Sequence, residues 1–387
     1  MADKVRIGLM GAGFVARVHA DCYSAIPGAQ VTCVAAGGLD SARAFAGETG
    51  IADTVAADAL VARDDVDVVD ICAPNRFHEN LALGAIAAGK HVIVEKPLTG
   101  FFDTPDGAQD VSRATMLKQA LASADRIIDA AAAAGVKVMY AENWVYAPSV
   151  QKARRLLAAS GGAILEMRGE ESHHGSHSPK AKRWADAGGG ALIRLGSHPI
   201  GVMLHLKDIE GRRRTGEPIR PVSVSADVAD MTRDVASGAD ERKWIVHDWV
   251  DVENWSTAII RFSDGSRGVV SANDICLGGM RDTIDIFASN CRVHCDFSRS
   301  SLLSAYAPDA EVFADEYLVE KLETKAGWSF PNVDEHWMLG YHHELQDFVG
   351  AVHDDRAPVS DAGLGRSVLN VIYGAYLSAH EGRVVTL

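Results

Sequence analysis

The sequence predicts an α/β protein in two parts: a doubly wound parallel sheet over residues 1–146, then an α+β domain over 147–387 with a mainly antiparallel open sheet. Three observations carry this. The first third alternates short β-branched runs with alanine-rich helical stretches. A glycine-rich turn, Gly11-Ala12-Gly13, directly follows the first strand. From about Ala147 the pattern changes to strands joined by turn residues.

In order, strands are expected at 5–10, 31–35, 66–72, 91–94 and 137–141, with helices at 14–25, 41–48, 80–88 and 116–134 between them. Strands apolar on both faces and separated by helices indicate a parallel sheet covered on both sides. Thr99 to Arg113 is rich in Gly, Asp, Thr and Pro and reads as an exposed insertion. After a helix at 149–159, strands are expected at 163–171, 222–229, 255–262, 268–272, 283–288 and 292–297. Phe262-Ser263-Asp264-Gly265-Ser266 fits a hairpin turn. Helices are expected at 192–206, 341–352 and 364–380.

A length of 387 residues favours two domains, and 47% hydrophobic with 23% charged residues is ordinary for a globular chain. No apolar run approaches the ~18 to 20 residues of a membrane helix, and the N-terminus lacks a secretory pattern. A cytoplasmic protein without membrane association is expected. The net charge of −14 argues against nucleic acid as a partner. Cysteines 22, 33, 72, 276, 291 and 295 form no C-x-x-C pair and are expected as free, buried thiols.

Gly11-Ala12-Gly13-Phe14-Val15-Ala16 fits G-x-G-x-x-G/A between a strand and a helix. The first glycine allows a tight turn, the second lets the backbone approach a pyrophosphate, and the helix N-terminus offers free N–H groups to it. A nicotinamide dinucleotide bound to a Rossmann domain is therefore expected, with Gly11, Gly13, Phe14 and Val15 in contact. NAD and NADP are not distinguished. Ala36 stands where an acidic residue would bind the ribose 2′-OH, and Arg43 or Asp40 would have to reach in.

Three more motifs extend the pattern: Ala73-Pro74-Asn75-Arg76-Phe77-His78, Glu95-Lys96-Pro97, and Gly188 to His198. With them the chain resembles the Gfo/Idh/MocA family of sugar and polyol oxidoreductases over most of its length. The resemblance implies cofactor contacts at Ala36, Ala73, Pro74, Asn75, His78, Glu95, Lys96 and Asn143. It also implies that Lys96 faces both nicotinamide and substrate and that His198 is its catalytic partner. A hydride leaves an alcohol carbon readily only as the hydroxyl proton is removed, which lysine and imidazole can do. Tyr146 is implied near the substrate, and the second domain is implied to form a homodimer or homotetramer.

The chain departs from the family at two places. Arg194 stands where many members have Asp, one helical turn before the histidine, and Gly201 stands where a further acidic residue is common. No obvious carboxylate then orients His198. Arg194, together with His173, His177, Lys180 and Arg183, suggests a sugar-like substrate carrying negative charge. Trp144 and Trp184 are candidates to stack on its ring. No metal is expected, because no acidic or thiol ligand joins His173, His174 and His177. An NAD(P)-dependent sugar dehydrogenase is the first reading, with Lys96, His198 and Arg194 in catalysis. A cofactor-retaining glycosidase or lyase, working by oxidation, elimination, addition and reduction, is the alternative.

Overall fold

The computed structural model describes residues 4–104, 107–235, 243–298 and 302–387. Its first sheet has six strands: β1 (Val5–Met10), β2 (Ala29–Ala35), β3 (Asp53–Thr54), β4 (Val68–Ile71), β5 (His91–Glu95) and β6 (Val138–Ala141). They lie in the order β3-β2-β1-β4-β5-β6, every pair parallel. Helices α1 (Phe14–Ser24), α2 (Leu39–Thr49), α3 (Ala57–Val61), α4 (His78–Ala87) and α5 (Arg113–Ala134) connect and cover them. The strand order reverses between β1 and β4, and a crevice at the carboxyl ends of such strands is where this topology takes ligands. Ser112 caps α5 by accepting from the Thr115 N–H, and Gly135 ends it in the left-handed region.

The chain continues through α6 (Asn143–Tyr146), α7 (Pro148–Ser160), β7 (Ile164–Ser172), α8 (Trp184–Ala187), α9 (Ala191–Arg194) and α10 (Ser197–Thr215). Then come β8 (Pro221–Ala229), α11 (Met231–Asp234), β9 (Trp255–Phe262), β10 (Arg267–Asn273), β11 (Arg281–Ala288) and β12 (Arg292–Asp296). A small pair, β13 (Ala305–Ala307) and β14 (Gly327–Ser329), precedes α12 (Glu335–Met338), α13 (Tyr341–His353), α14 (Ala362–Glu381) and β15 (Val385–Thr386). The second sheet runs β12-β11-β7-β10-β9-β8-β15. All its pairs are antiparallel except β7 with β10. The expected hairpin joins β9 to β10, with Gly265 at positive φ and its N–H donating to the Phe262 carbonyl.

Two glycines set the distance between α10 and this sheet. A Cβ on Gly169 would lie 2.5 Å from Pro199, and one on Gly268 would lie 2.8 Å from the Met203 sulfur. With hydrogen there instead, the first two turns of α10 seat directly on β7 and β10, and His198 comes with them.

Two expectations need correction. The helix expected at 192–206 is two helices, because the chain turns at Leu195-Gly196 and then continues to Thr215. A Cβ at Gly196 would approach the Leu192 carbonyl to 2.5 Å. The segment from Thr99 is not an exposed insertion: Thr99, Phe101, Thr104 and Ala108 are buried. Polar tethers explain this, since the Tyr373 hydroxyl accepts from the Phe101 N–H and Trp184 Nε1 donates to the Phe101 carbonyl. Residues 105–106 of that segment lie outside the described residues. All six cysteines are free, three buried and three half-buried. Among the described residues no helix is long and apolar enough to cross a membrane.

Candidate active site

A cleft of about 950 Å³ runs from the glycine turn of the first sheet to the inner face of the second. Gly11, Gly13, Phe14, Val15, Ala36, Ala73, Pro74, Asn75, His78, Glu95, Lys96 and Asn143 all line it, so the residues expected at the cofactor share one surface. Gly11 has φ +142°, and a Cβ there would sit 2.4 Å from the Cys72 carbonyl oxygen. Around Gly13 a Cβ would meet open space, and α1 begins there with no side chain capping its first N–H groups. A close-approach turn and an uncapped helix start fit a pyrophosphate. At the far end, Ala36, Gly37 and Ser41 line the cleft. Asp40 and Arg43 pair with each other at 3.3 Å on the exposed surface instead.

Lys96 follows β5 at its carboxyl end. Its Nζ donates to the Arg194 main-chain carbonyl at 2.7 Å, and its N–H donates to Glu95 at 2.9 Å. Glu95 lies 3.2 Å from His19 Nε2, whose other ring nitrogen is 2.9 Å from Asp70. His78 is fully buried with its ring nitrogens 2.8 Å from the Pro97 and Ala73 carbonyls, so it braces the turn that carries Lys96.

His198 has the carboxylate partner that its own helix lacks. Glu142, one residue beyond β6, places Oε1 2.6 Å from His198 Nδ1. Gly201 explains the substitution, because a Cβ there would lie 2.7 Å from Glu142 Cγ. The carboxylate reaches the histidine from the end of the first sheet, and the small residue makes room for it. Trp144 stacks on the imidazole at 5.3 Å and 13°. Burial lowers the His198 pKa, which Glu142 opposes, so the ring is neutral near pH 7. With Nδ1–H donating to Glu142, Nε2 is left as an acceptor, 3.9 Å from Glu171 Oε2.

Several expected substrate residues are placed elsewhere. The Arg194 guanidinium is ion-paired with buried Asp274 and lies over Trp249, so it is not a free anion clamp; its contact with Lys96 is through the main chain. Trp184 is 1% exposed and packs against Tyr376 in the core rather than lining the cleft. The Tyr146 hydroxyl donates to Asp347 behind the site. Trp144 lines the cleft, but its ring is engaged by His198 and Phe297. Arg183 borders a separate small groove, and His177 is exposed outside the cleft. Lys180 and His173 do line it. Burial, and then Arg194, push His173 down to about 2, so it is neutral.

The sequence reading missed Glu142, Glu171, Asp282 and Glu320. The last three line the second-sheet side of the cleft. Glu142 could have been found as a carboxylate just past a buried strand, at the ligand edge of the sheet. Among the described residues, the group with metal-ligand spacing is His19, Asp70 and Cys72, within 4.8 Å of one another. These three already bond one another, and Tyr23 donates to Asp70.

Comparison with known proteins gives the lineage. The model described as "Oxidoreductase family, NAD-binding Rossmann fold" (Gfo/Idh/MocA) matches residues 5–126, and that of the Gfo/Idh/MocA C-terminal domain matches residues 150–294. A levoglucosan dehydrogenase of Pseudarthrobacter phenanthrenivorans is 28% identical over 292 residues, 70% of this chain and 67% of the relative. A dTDP-3,4-didehydro-2,6-dideoxy-alpha-D-glucose 3-reductase of Streptomyces violaceoruber is 32% identical over 174 residues, 42% of this chain and 51% of the relative. The match thus spans two thirds of one relative's length and about half of the other's. Among solved structures, GenD2 from gentamicin A biosynthesis, in complex with NAD, is 26% identical with a TM-score of 0.81, covering 100% of this chain and 97% of that one. Matched by the family's models in both halves, the chain belongs to the Gfo/Idh/MocA oxidoreductases, and its first sheet is their NAD-binding Rossmann domain.

Proposed function

We propose that the chain is an NAD(P)-dependent dehydrogenase that oxidises a hydroxyl carbon of a sugar-like substrate, and reduces the carbonyl in reverse. The observation that carries this reading is the pairing of Lys96 with a Glu142-backed His198 in the same cleft as the glycine turn. Gly11, Gly13 and the start of α1 would hold the pyrophosphate of the dinucleotide, and Ala73 to Asn75, Glu95 and Asn143 would border its nicotinamide. When bound, the nicotinamide supplies the hydride acceptor or donor. Lys96 Nζ hydrogen-bonds the substrate oxygen, and His198 Nε2 takes its proton as the C–O bond gains double-bond character. His198 is buried and Lys96 half-buried, which limits competition from water once substrate fills the cleft.

Relatives that are by name a sugar dehydrogenase and a deoxysugar reductase support this reading. They lend nothing to a cofactor-retaining hydrolase. We place the protein in the cytoplasm and expect a homodimer or homotetramer. The test is to follow reduced nicotinamide by absorbance over a panel of sugars, with Lys96→Met beside the parent protein. The variant is expected to lower kcat by about 10²- to 10⁴-fold with cofactor binding retained. A variant as active as the parent would remove Lys96 from the chemistry, and release of aglycone without net reduction would replace the dehydrogenase reading.

A further inference from the structure

The cleft wall formed by β7 and β11 carries paired carboxyl groups, which do not suit the anionic substrate that the sequence suggested. Glu171 and Asp282 are register partners across these strands. They are 5% and 2% exposed, and both line the cleft. Among the described residues, neither Glu171 Oε2 nor Asp282 Oδ1 has a hydrogen-bond partner. Glu320 borders the same wall.

The cations nearby are committed elsewhere or held at a distance. Arg194 is paired with Asp274, and Lys96 Nζ donates to the Arg194 carbonyl rather than to either carboxyl, its charge opposing the effect of burial on Glu171 only in part. His198 turns its Nδ1 to Glu142. Lys321 also lines the cleft, yet neither open oxygen receives a hydrogen bond from it.

We propose that the substrate is a sugar or cyclitol bearing an ammonium group, which Glu171 and Asp282 bind together. The inference rests on the dehydrogenase reading for the reaction but not for the binding. An ammonium brings three N–H donors and a positive charge, whereas a hydroxyl brings one donor and an acetamide one, neither with charge. Two neighbouring buried carboxyls cannot both ionise without a compensating cation. Burial first, and then the neighbouring carboxyls, raise both groups well above the usual carboxyl range. An arriving ammonium therefore meets carboxyls that give up protons in exchange for it.

The experiment is calorimetric titration of the NADH-loaded protein with matched methyl glycosides that carry an amine, a hydroxyl or an acetamide at one ring carbon, each carbon taken in turn. At one carbon the amine is expected to bind at least about tenfold tighter than both counterparts. Asp282→Asn and Glu171→Gln should each cut that advantage, read as the ratio of amine to hydroxyl affinity in the same variant, to about threefold or less. If no amine at any carbon binds tighter than its hydroxyl counterpart, undetectable binding included, the proposal is overturned. The parent protein alone gives that answer, so a variant that misfolds does not obscure it. Reduction of NAD by the same panel is scored separately: amine selectivity without turnover would overturn the dehydrogenase reading alone, and turnover of hydroxyl sugars without amine selectivity would overturn this inference alone.

Discussion

At His198 the proton chemistry depends on a partner from another part of the fold. Glu142 holds Nδ1 at 2.6 Å, fixing the tautomer and leaving Nε2 open. Burial is the larger influence on this imidazole and lowers its pKa, and Glu142 acts against it. Replacing Glu142 with Gln removes the opposing charge, so the pKa falls further. The acid limb of kcat/KM, where the imidazole must be neutral, is expected to move to lower pH in Glu142→Gln, while kcat drops by about 10- to 100-fold from lost orientation. A limb that stays in place would reduce Glu142 to packing. The same pair explains Gly201. Gly201→Asp alone drives a side chain into Glu142 and is expected to cost about 1–3 kcal/mol in a urea melt. Combined with Glu142→Ala, it should recover most of that stability and part of the activity. A double variant no better than the single one would break the link between the two positions. The sequence showed the two missing acids near His198 but not their replacement, because the compensation crosses 56 residues and two elements.

At the scale of elements, α10 shows what periodicity can and cannot reveal. Its apolar half was legible as part of a helix at 192–206, whereas Lys207-Asp208-Ile209-Glu210-Gly211-Arg212 reads as a polar end. The helix continues because Lys207 is buried and paired with Glu210 at 2.5 Å and Asp264 at 2.7 Å, a tertiary arrangement that local composition does not encode. The parallel strands of the first sheet were legible for the opposite reason: buried on both faces, they appear as unbroken apolar runs such as Val68-Val69 and Val92-Ile93-Val94. β3 and β15, two residues each, are too short to show any period. The middle of α10 also sets a pH dependence. His205 is buried, its Nε2 has no partner, and burial followed by Arg154 lowers its pKa to about 4. The unfolded chain binds this proton near pH 6.5, so the folded state binds fewer protons between the two values. Stability from this residue is complete above about pH 6.5 and falls as pH drops toward about 4. Between pH 7 and pH 5 the parent is expected to lose about 2 kcal/mol more than His205→Leu in urea unfolding. Equal losses would mean that the imidazole is hydrated in the folded state.

Over the whole molecule, the last two helices turn back onto the first sheet. Leu345, Phe348 and Val349 of α13 share a core cluster with Val18 and Tyr23 of α1. Arg366 of α14 pairs with Asp125 of α5, and the Tyr140 N–H donates to the Ser360 carbonyl. We take residues 1–146 and 147–387 as the two domains, with the end of the second acting as a strap that fixes the cleft between them. Helices α10 and α14 pack on one side of the seven-stranded sheet, and its other side is the outer one. On that side Ile259 is 47% exposed and pairs directly with half-buried Val269 on β10, while its neighbours Ala258 and Ile260 are fully buried on the inner side. An apolar pair on a face that otherwise mixes Ser225, Thr257 and Ser271 with charged residues such as Arg261 and Arg168 is the kind of centre that a symmetric contact between two copies would bury. We therefore expect the protein to assemble through this face. Light scattering on a sizing column should give a multiple of the 41.3 kDa chain for the parent and a smaller species for Ile259→Lys. NADH affinity should be unchanged, because the substitution points away from the cleft. A parent that elutes as a monomer at about micromolar concentration would remove the interface, and an assembly indifferent to Ile259→Lys would move it to another surface.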